Sequence, residues 1–330
     1  MKPNTLTKLA LVGAGTGLAA FGIYKSTHPS DARIVERSNR RTDDDLFDLP
    51  PGIVDHVIPT RDGGTIHAIE KGQGRPLVLL HGITLRADVW APQFHDLVDR
   101  FRVIAVDLRG HGDSKAGSGG FGLTHLGDDV ADLLEALDLR DAIVVGHSMG
   151  GMTLMTFCVE HPDTLAQRVA GLVFLDTCAH QVFPPGIDKP LRKLVGRGSD
   201  MVAAGRPLPG GGSAPVGLAR LAFGGRPDGR AVRIVAEMGA SMDQADFLAS
   251  ADQMFDHDTR EGLRQVTTPS MVVVGTRDLL TPVPASRRIA RLIPGSELVV
   301  LPGAGHQLMQ ERPAELADLL EGFADKLDRA

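Results

Sequence analysis

"VVGHSMGGMTL", residues Val144 to Leu154, runs from a β-branched apolar stretch into a serine set between glycines and on into a helix-like segment. Gly146 and Gly150 stand two residues to either side of Ser148. That spacing suits a turn so tight that larger neighbours clash, with the hydroxyl left exposed where a strand meets a helix. In a chain of 330 residues with 39 glycines the bare pattern is weak, so its surroundings decide. "AIVVGHS" reads as a strand and "MGGMTLMTFCVEH" as a helix, which puts Ser148 on the junction between them.

The same alternation extends outward. "IVDHVIP" and "TIHAIE" read as two strands joined at "RDGG". "PLVLLHG", "FRVIAVD", "AIVVGHS", "VAGLVFLD", "SMVVVGT" and "SELVVLP" are continuous apolar runs, the kind shown by strands buried on both faces. Helix-like segments lie between them. In the clearest, "LTHLGDDVADLLEALDL", Leu126, Val130, Leu133, Leu134 and Leu137 form one stripe with acids opposite. Strands separated by helices imply an α/β fold with a mainly parallel sheet flanked by helices. From 179 to 262 no buried strand appears, only helix-like pieces divided by stretches such as "GRPLPGGGSAP". This interval is expected to be an inserted helical cap, splitting a core of 53–178 and 263–330. Between Asp188 and Arg233 the cap carries nine Lys/Arg against three Asp. A solvated basic face is the plain reading; a surface for anionic lipid or an acidic substrate is the sharper one. Phe183, Leu221, Phe223, Met238, Met242, Phe247 and Met254 are candidates for an acyl pocket, with packing inside the cap as the alternative.

Composition narrows the class. Apolar residues make up 42% and charged residues 23%, as in soluble globular proteins, and the net charge of −6 argues against a nucleic-acid binder. Cys158 and Cys178 match no metal or redox spacing. "LALVGAGTGLAAFGI", residues 9–23, carries no charge and follows Lys2 and Lys8. It is short for a membrane span of about twenty residues but suits a signal sequence, so residues 1–30 are expected to be an export or membrane-anchor segment, with 31–52 a charged linker. A frayed apolar terminus is the alternative, and a cytoplasmic chain goes with it. "GTGLAA" within it formally matches a dinucleotide fingerprint, but Pro29 and a charged run follow where a helix and a second strand are needed.

A serine hydroxyl needs a base to take its proton. His306, in "GAGH" after the strand "SELVVLP", is best placed, because the small residues before it let an imidazole reach inward from the loop. An acid must orient that ring. Asp278, after "SMVVVGT", is the candidate; Asp176, ending "VFLD", is the rival. Thr281, before Pro282, is expected to cap the following helix and so leave Asp278 free. No H-E-x-x-H or other ligand spacing occurs, and no cofactor is expected.

Taken together, "LVLLHGITLRADVW", "VIAVDLRGHGDS", "VVGHSMGG", "VVVGTRDLLTP" and "LPGAGH" resemble the α/β-hydrolase superfamily, over about Leu77 to His306 with the cap unmatched. The order Ser148, Asp278, His306 agrees with that superfamily. The closest resemblance within it is to serine esterases and cofactor-free haloperoxidases. This implies an oxyanion hole from the backbone N–H groups of Ile83 and Met149, His81 as a structural turn residue, and Asp107, Arg109 and His111 as holders of a family loop, with lining of the pocket as their alternative role. Epoxide hydrolases and haloalkane dehalogenases of the fold use an aspartate where Ser148 stands, which disfavours those activities. The implied activity is cleavage of a carboxylic ester, on a small molecule or a lipid. A perhydrolase or carbon–carbon bond hydrolase uses the same residues, and a non-catalytic binding protein on the same fold is the alternative from another class.

Overall fold

The computed structural model describes residues 45–329 apart from 181, 183–185 and 209–215. The apolar run at 9–23 and most of the 31–52 linker lie outside the described residues, as does Phe183. Among the described residues no helix is long and apolar enough to cross a membrane.

Eight strands form one sheet: β1 (Val54–Pro59), β2 (Thr65–Lys71), β3 (Arg75–Leu80), β4 (Phe101–Val106), β5 (Ala142–His147), β6 (Val169–Leu175), β7 (Ser270–Gly275) and β8 (Glu297–Leu301). Their order is β1-β2-β4-β3-β5-β6-β7-β8. The β1–β2 hairpin closes at Pro59 opposite Thr65, and β2 runs antiparallel to β4. Every pair from β4 to β8 is parallel. The reason lies in the apolar runs. β5 and β7 are buried at all positions, so only inner places with helices on both sides suit them. "SELVVLP" departs from this expectation. As β8 it stands at the sheet edge with β7 its sole strand neighbour, Glu297 exposed and the other four residues half-buried.

Side chains alternate between two cores, as the two-residue period of a strand requires. Val78, Leu80 and Val144 face a cluster with Leu126, Val130 and Leu134 of α2 (Leu123–Ala136) and Met152 and Met155 of α3 (Met149–Glu160), while α1 (Ala91–Leu97) lies on the other side. Leu77, Leu79, Ile143 and Val145 face Trp90 and Phe94 on that other side. Each such side chain taken fully from water contributes about 1.5–3 kcal/mol. The acids of α2 are not all on its wet face. Asp129 is buried, receiving two bonds from Arg109 at 2.7 and 2.6 Å.

After α4 (Pro162–Arg168) and β6 the chain forms α5 (Asp188–Ala203), α6 (Gly229–Ser241) and α7 (Gln244–Gln253) before β7. Asp228 and Asp243 cap the last two by accepting from Arg230, Ala245 and Asp246 amides. Phe223 and Met238 pack into the Trp90 cluster and Met254 into the other, so these three serve as core; Leu221 is exposed. α8 (Val283–Leu292) and α9 (Pro313–Leu327) complete the layers.

Candidate active site

Ser148 follows β5 and precedes α3, with φ 53° and ψ −117°, a left-handed conformation costly for any residue but glycine. The contacts that hold it there are made by its own backbone groups. Its N–H donates to Leu175 O at 3.0 Å, and its carbonyl accepts from Gly151 N, Met152 N and Thr177 Oγ1 at 2.9, 3.1 and 2.7 Å. The flanking glycines are required by close approach. A Cβ on Gly146 would lie 2.5 Å from Gly150 O, and one on Gly150 would lie 2.4 Å from Leu80 O. Gly151 faces the side chain of Thr177, at 2.6 Å from such a Cβ.

The loop after β3 lies against this turn. A Cβ on Gly82 would meet Ser148 Cβ at 3.0 Å and His147 Nδ1 at 2.9 Å. His81 holds the loop. Its Nε2 accepts the Leu108 N–H at 3.0 Å, so Nδ1 carries the proton and donates to Gly82 O at 2.7 Å. Burial lowers the pKa of this imidazole, which is fully enclosed and a turn residue, not a base. Among the described residues neither the Ile83 N–H nor the Met149 N–H has an acceptor.

Asp278 and His306 come from the loops after β7 and β8, and His306 Nδ1–H donates to Asp278 Oδ2 at 2.9 Å. Both are buried. Asp278 Oδ1 accepts the Leu280 and Thr281 amides at 2.8 and 2.9 Å, and Oδ2 also accepts the Thr281 hydroxyl at 2.6 Å. Burial alone raises this carboxyl, but the facing imidazole and these bonds outweigh it and hold it at about 2. Thr281 therefore departs from the sequence expectation. It makes no side-chain cap on α8, and its hydroxyl serves Asp278 instead. Asp176, the rival acid, is fully buried with Oδ1 on the Gly275 N–H at 3.0 Å and no partner for Oδ2. Burial and the neighbouring Asp278 push its carboxyl well above the usual range.

Two further side chains support His306, and no local sequence signal marks either. His147 Nε2–H donates to His306 O at 2.8 Å. Glu311 accepts Gly224 N–H and Gly305 N–H at 2.9 and 3.0 Å, joining the segment before α6 to the "GAGH" loop. His306 N–H itself donates to Ala222 O at 2.7 Å.

The "DLRGHGDS" loop is held from within. Asp107 accepts from the Ala87 and Asp113 amides at 2.6 and 3.1 Å. Arg109, 1% exposed, spans Asp129, Asp62 and Gly120 O. Buried His111 donates through Nδ1 to Arg109 O at 3.1 Å. One group among the described residues has metal-ligand spacing: His67, Asp107 and Asp113, with donor atoms within 4.8 Å of one another. Its capacity is already used. Both His67 nitrogens face carboxylates, Asp107 at 2.8 Å and Asp55 at 3.0 Å, and the Asp107 bond foremost raises the imidazole to about 9. These residues wall a cavity of about 550 Å³ with Leu85, Met238 and Asp246; Ser148, Asp278 and His306 do not line it.

Comparison with known proteins agrees with this architecture. The family profile described as alpha/beta hydrolase fold matches residues 75–313. The 2-(acetamidomethylene)succinate hydrolase of Mesorhizobium japonicum is 32% identical over 286 residues, 82% of this chain and 96% of that protein. The non-heme chloroperoxidase CPO-A1 of Kitasatospora aureofaciens is 32% identical over 266 residues, 76% of this chain and 91% of that protein. Among solved structures, a thermophilic esterase from Thermogutta terrifontis superposes with a TM-score of 0.71 at 28% identity, covering 83% of this chain and 99% of that one. With the profile spanning well over half of the chain and its eight-stranded, mainly parallel sheet matching such structures, the protein belongs to the α/β hydrolase fold family.

Proposed function

We propose that the protein is a serine hydrolase of carboxylic esters. Ser148 Oγ attacks the ester carbonyl while His306 Nε2 takes its proton, Asp278 holds the imidazole through Nδ1, and the Ile83 and Met149 N–H groups stabilise the oxyanion. His306 then returns the proton to the leaving alcohol and activates water against the acyl-enzyme. Each oxyanion donor is worth on the order of 3 kcal/mol in the transition state. The observation that carries the reading is the His306–Asp278 bond of 2.9 Å, which commits Nδ1 as donor and leaves Nε2 as the free base. Ser148 itself is held in a strained left-handed turn at a helix N-terminus, and its chain neighbour His147 reaches the His306 carbonyl. A fluorophosphonate probe tests it: wild type is labelled and Ser148→Ala is not. Absence of labelling in wild type, or equal labelling of the alanine variant, overturns the reading.

The chloroperoxidase relative favours one second reading, in which hydrogen peroxide replaces water at the same acyl-enzyme and releases a peracid that oxidises halide. Halide oxidation that needs both a carboxylic acid and peroxide, and disappears in Ser148→Ala, supports it; halide oxidation that survives in Ser148→Ala removes it.

A further inference from the structure

We propose that His147 is a positioning residue for the hydrolysis, its Nε2–H holding the His306 carbonyl and so setting the base against Ser148, its own neighbour in the chain. The proposal rests on the reading of Ser148 and His306 given above. The His306 backbone has two hydrogen bonds that matter here, and they pull from different layers. Its N–H goes to Ala222 O, between β6 and β7, at 2.7 Å, and its carbonyl receives His147 Nε2–H at 2.8 Å. Ala222 stands between β6 and β7 in the chain, whereas His147 is the last residue of the strand that leads into Ser148. The bond therefore runs straight from β5 to the loop bearing the base, across 159 residues of sequence.

The side chain is built for this one task. It is 1% exposed, with its ring 4.8 Å from that of His306 at 53° and edge-on to Trp90 at 6.5 Å. Because a carbonyl only accepts, Nε2 must carry the proton, and Nδ1 is left bare against Gly82 with no partner among the described residues. Burial lowers the pKa of the ring, which favours its uncharged form. Wedged between the Gly82 loop and the His306 loop, it spaces the proposed oxyanion donor and the base about the serine. A misplacement of about 1 Å in such a constellation costs on the order of 100-fold in rate.

The test compares wild type, His147→Gln and His147→Leu on p-nitrophenyl acetate and on ethyl acetate. A glutamine amide nitrogen ends where His Nε2 stands and keeps the donor; leucine keeps bulk without it. The expected result is a glutamine variant within about threefold of wild type, and a leucine variant with kcat lowered about 10- to 100-fold at little-changed KM. The leucine loss is larger on ethyl acetate, because an alkoxide needs the proton His306 delivers while p-nitrophenolate leaves without it. Equal losses on the two esters, or a glutamine variant no better than leucine, overturn the proposal in favour of a packing role. If the leucine variant does not fold, His147→Asn replaces it, since its amide ends short of the His306 carbonyl and the same losses are expected. A leucine or asparagine variant as fast as wild type on both esters overturns the positioning role while fluorophosphonate labelling of Ser148 leaves the hydrolase reading standing. An unlabelled wild type overturns both.

Discussion

Replacing Asp278 by asparagine removes a charge and inverts a hydrogen bond at once. His306 Nδ1–H donates to Asp278 Oδ2 at 2.9 Å, and at that distance with an effective dielectric constant of about 20 the carboxylate attracts an imidazolium by about 6 kcal/mol. An asparagine flipped to present its NH₂ pushes the neutral ring to the other tautomer, in which Nε2 carries the proton and can no longer accept one from Ser148. Both effects act on the transition state, where the imidazolium forms. The expected loss in kcat is about 10³- to 10⁴-fold, or about 4–5.5 kcal/mol. No nearby acid is poised to replace Asp278. Asp176 is fully buried, burial pushes its carboxyl up, and its Oδ1 is bound to the Gly275 amide. The assay is steady-state hydrolysis of p-nitrophenyl acetate at pH 7.5, with circular dichroism as the check on folding. A folded Asp278→Asn variant keeping more than about a tenth of wild-type kcat refutes the assignment of the orienting acid.

Three other outcomes follow from the contacts. His67, raised to about 9 by its Asp107 bond foremost, contributes stability that is fully present below about 6.5 and lost as pH rises through 9; with Asp55 70% exposed at its other end, about 1–2 kcal/mol is expected. Urea unfolding at pH 6 and pH 9.5 checks this, since His67→Asn should flatten the difference and an unchanged slope counts against it. Arg109→Met strands the buried Asp129 carboxylate and should cost about 3–5 kcal/mol in urea unfolding, whereas a loss below about 1 kcal/mol contradicts the role given to that guanidinium. Gly305→Ala places a Cβ 2.1 Å from Gly224 N and 2.5 Å from Phe223 C, so the His306 loop must shift; kcat should fall about 100-fold with the fold intact, and unchanged kcat refutes the tight clasp.

The strands were legible because a parallel sheet buries both faces and writes continuous apolar runs into the chain; all eight segments read as strands are strands. Only burial was misjudged at "SELVVLP", since an apolar run does not tell an edge from an interior place. The placement of Ser148, Asp278 and His306 in turns at strand C-terminal ends was legible because each sits beside small or turn-forming residues. What was not legible is what depends on a distant partner. Thr281 reads locally as a helix cap, yet a carboxylate three residues back competes for its hydroxyl and wins. Asp129 reads as one acid among several on a wet face until Arg109, twenty residues away, draws it inside. His147 lies inside the serine motif and Glu311 takes one bond from nearby Gly305, but nothing local names the His306 carbonyl or Gly224 as partners. Those lie 159 and 87 residues distant in sequence, and only the fold brings them together.

These long-range bonds redraw the functional boundary of the inserted region. Sequence pattern alone groups everything from 179 to 262 as one unit over the core. The contacts divide it. Residues 222–225 are fastened to the base loop: Ala222 O takes the His306 N–H, Glu311 bridges Gly224 and Gly305, and Arg220 donates to the carbonyls of Phe223, Gly224 and Gly225. α5, by contrast, buries Leu191 and Val195 and is joined through Arg192 to Asp252 and Asp256 by exposed ion pairs, with no hydrogen bond to the base loop among the described residues. A segment whose displacement drags the base loop cannot vary freely without moving His306, so 222–225 belongs, by the bonds it makes, with the core and not with the rest of the insertion.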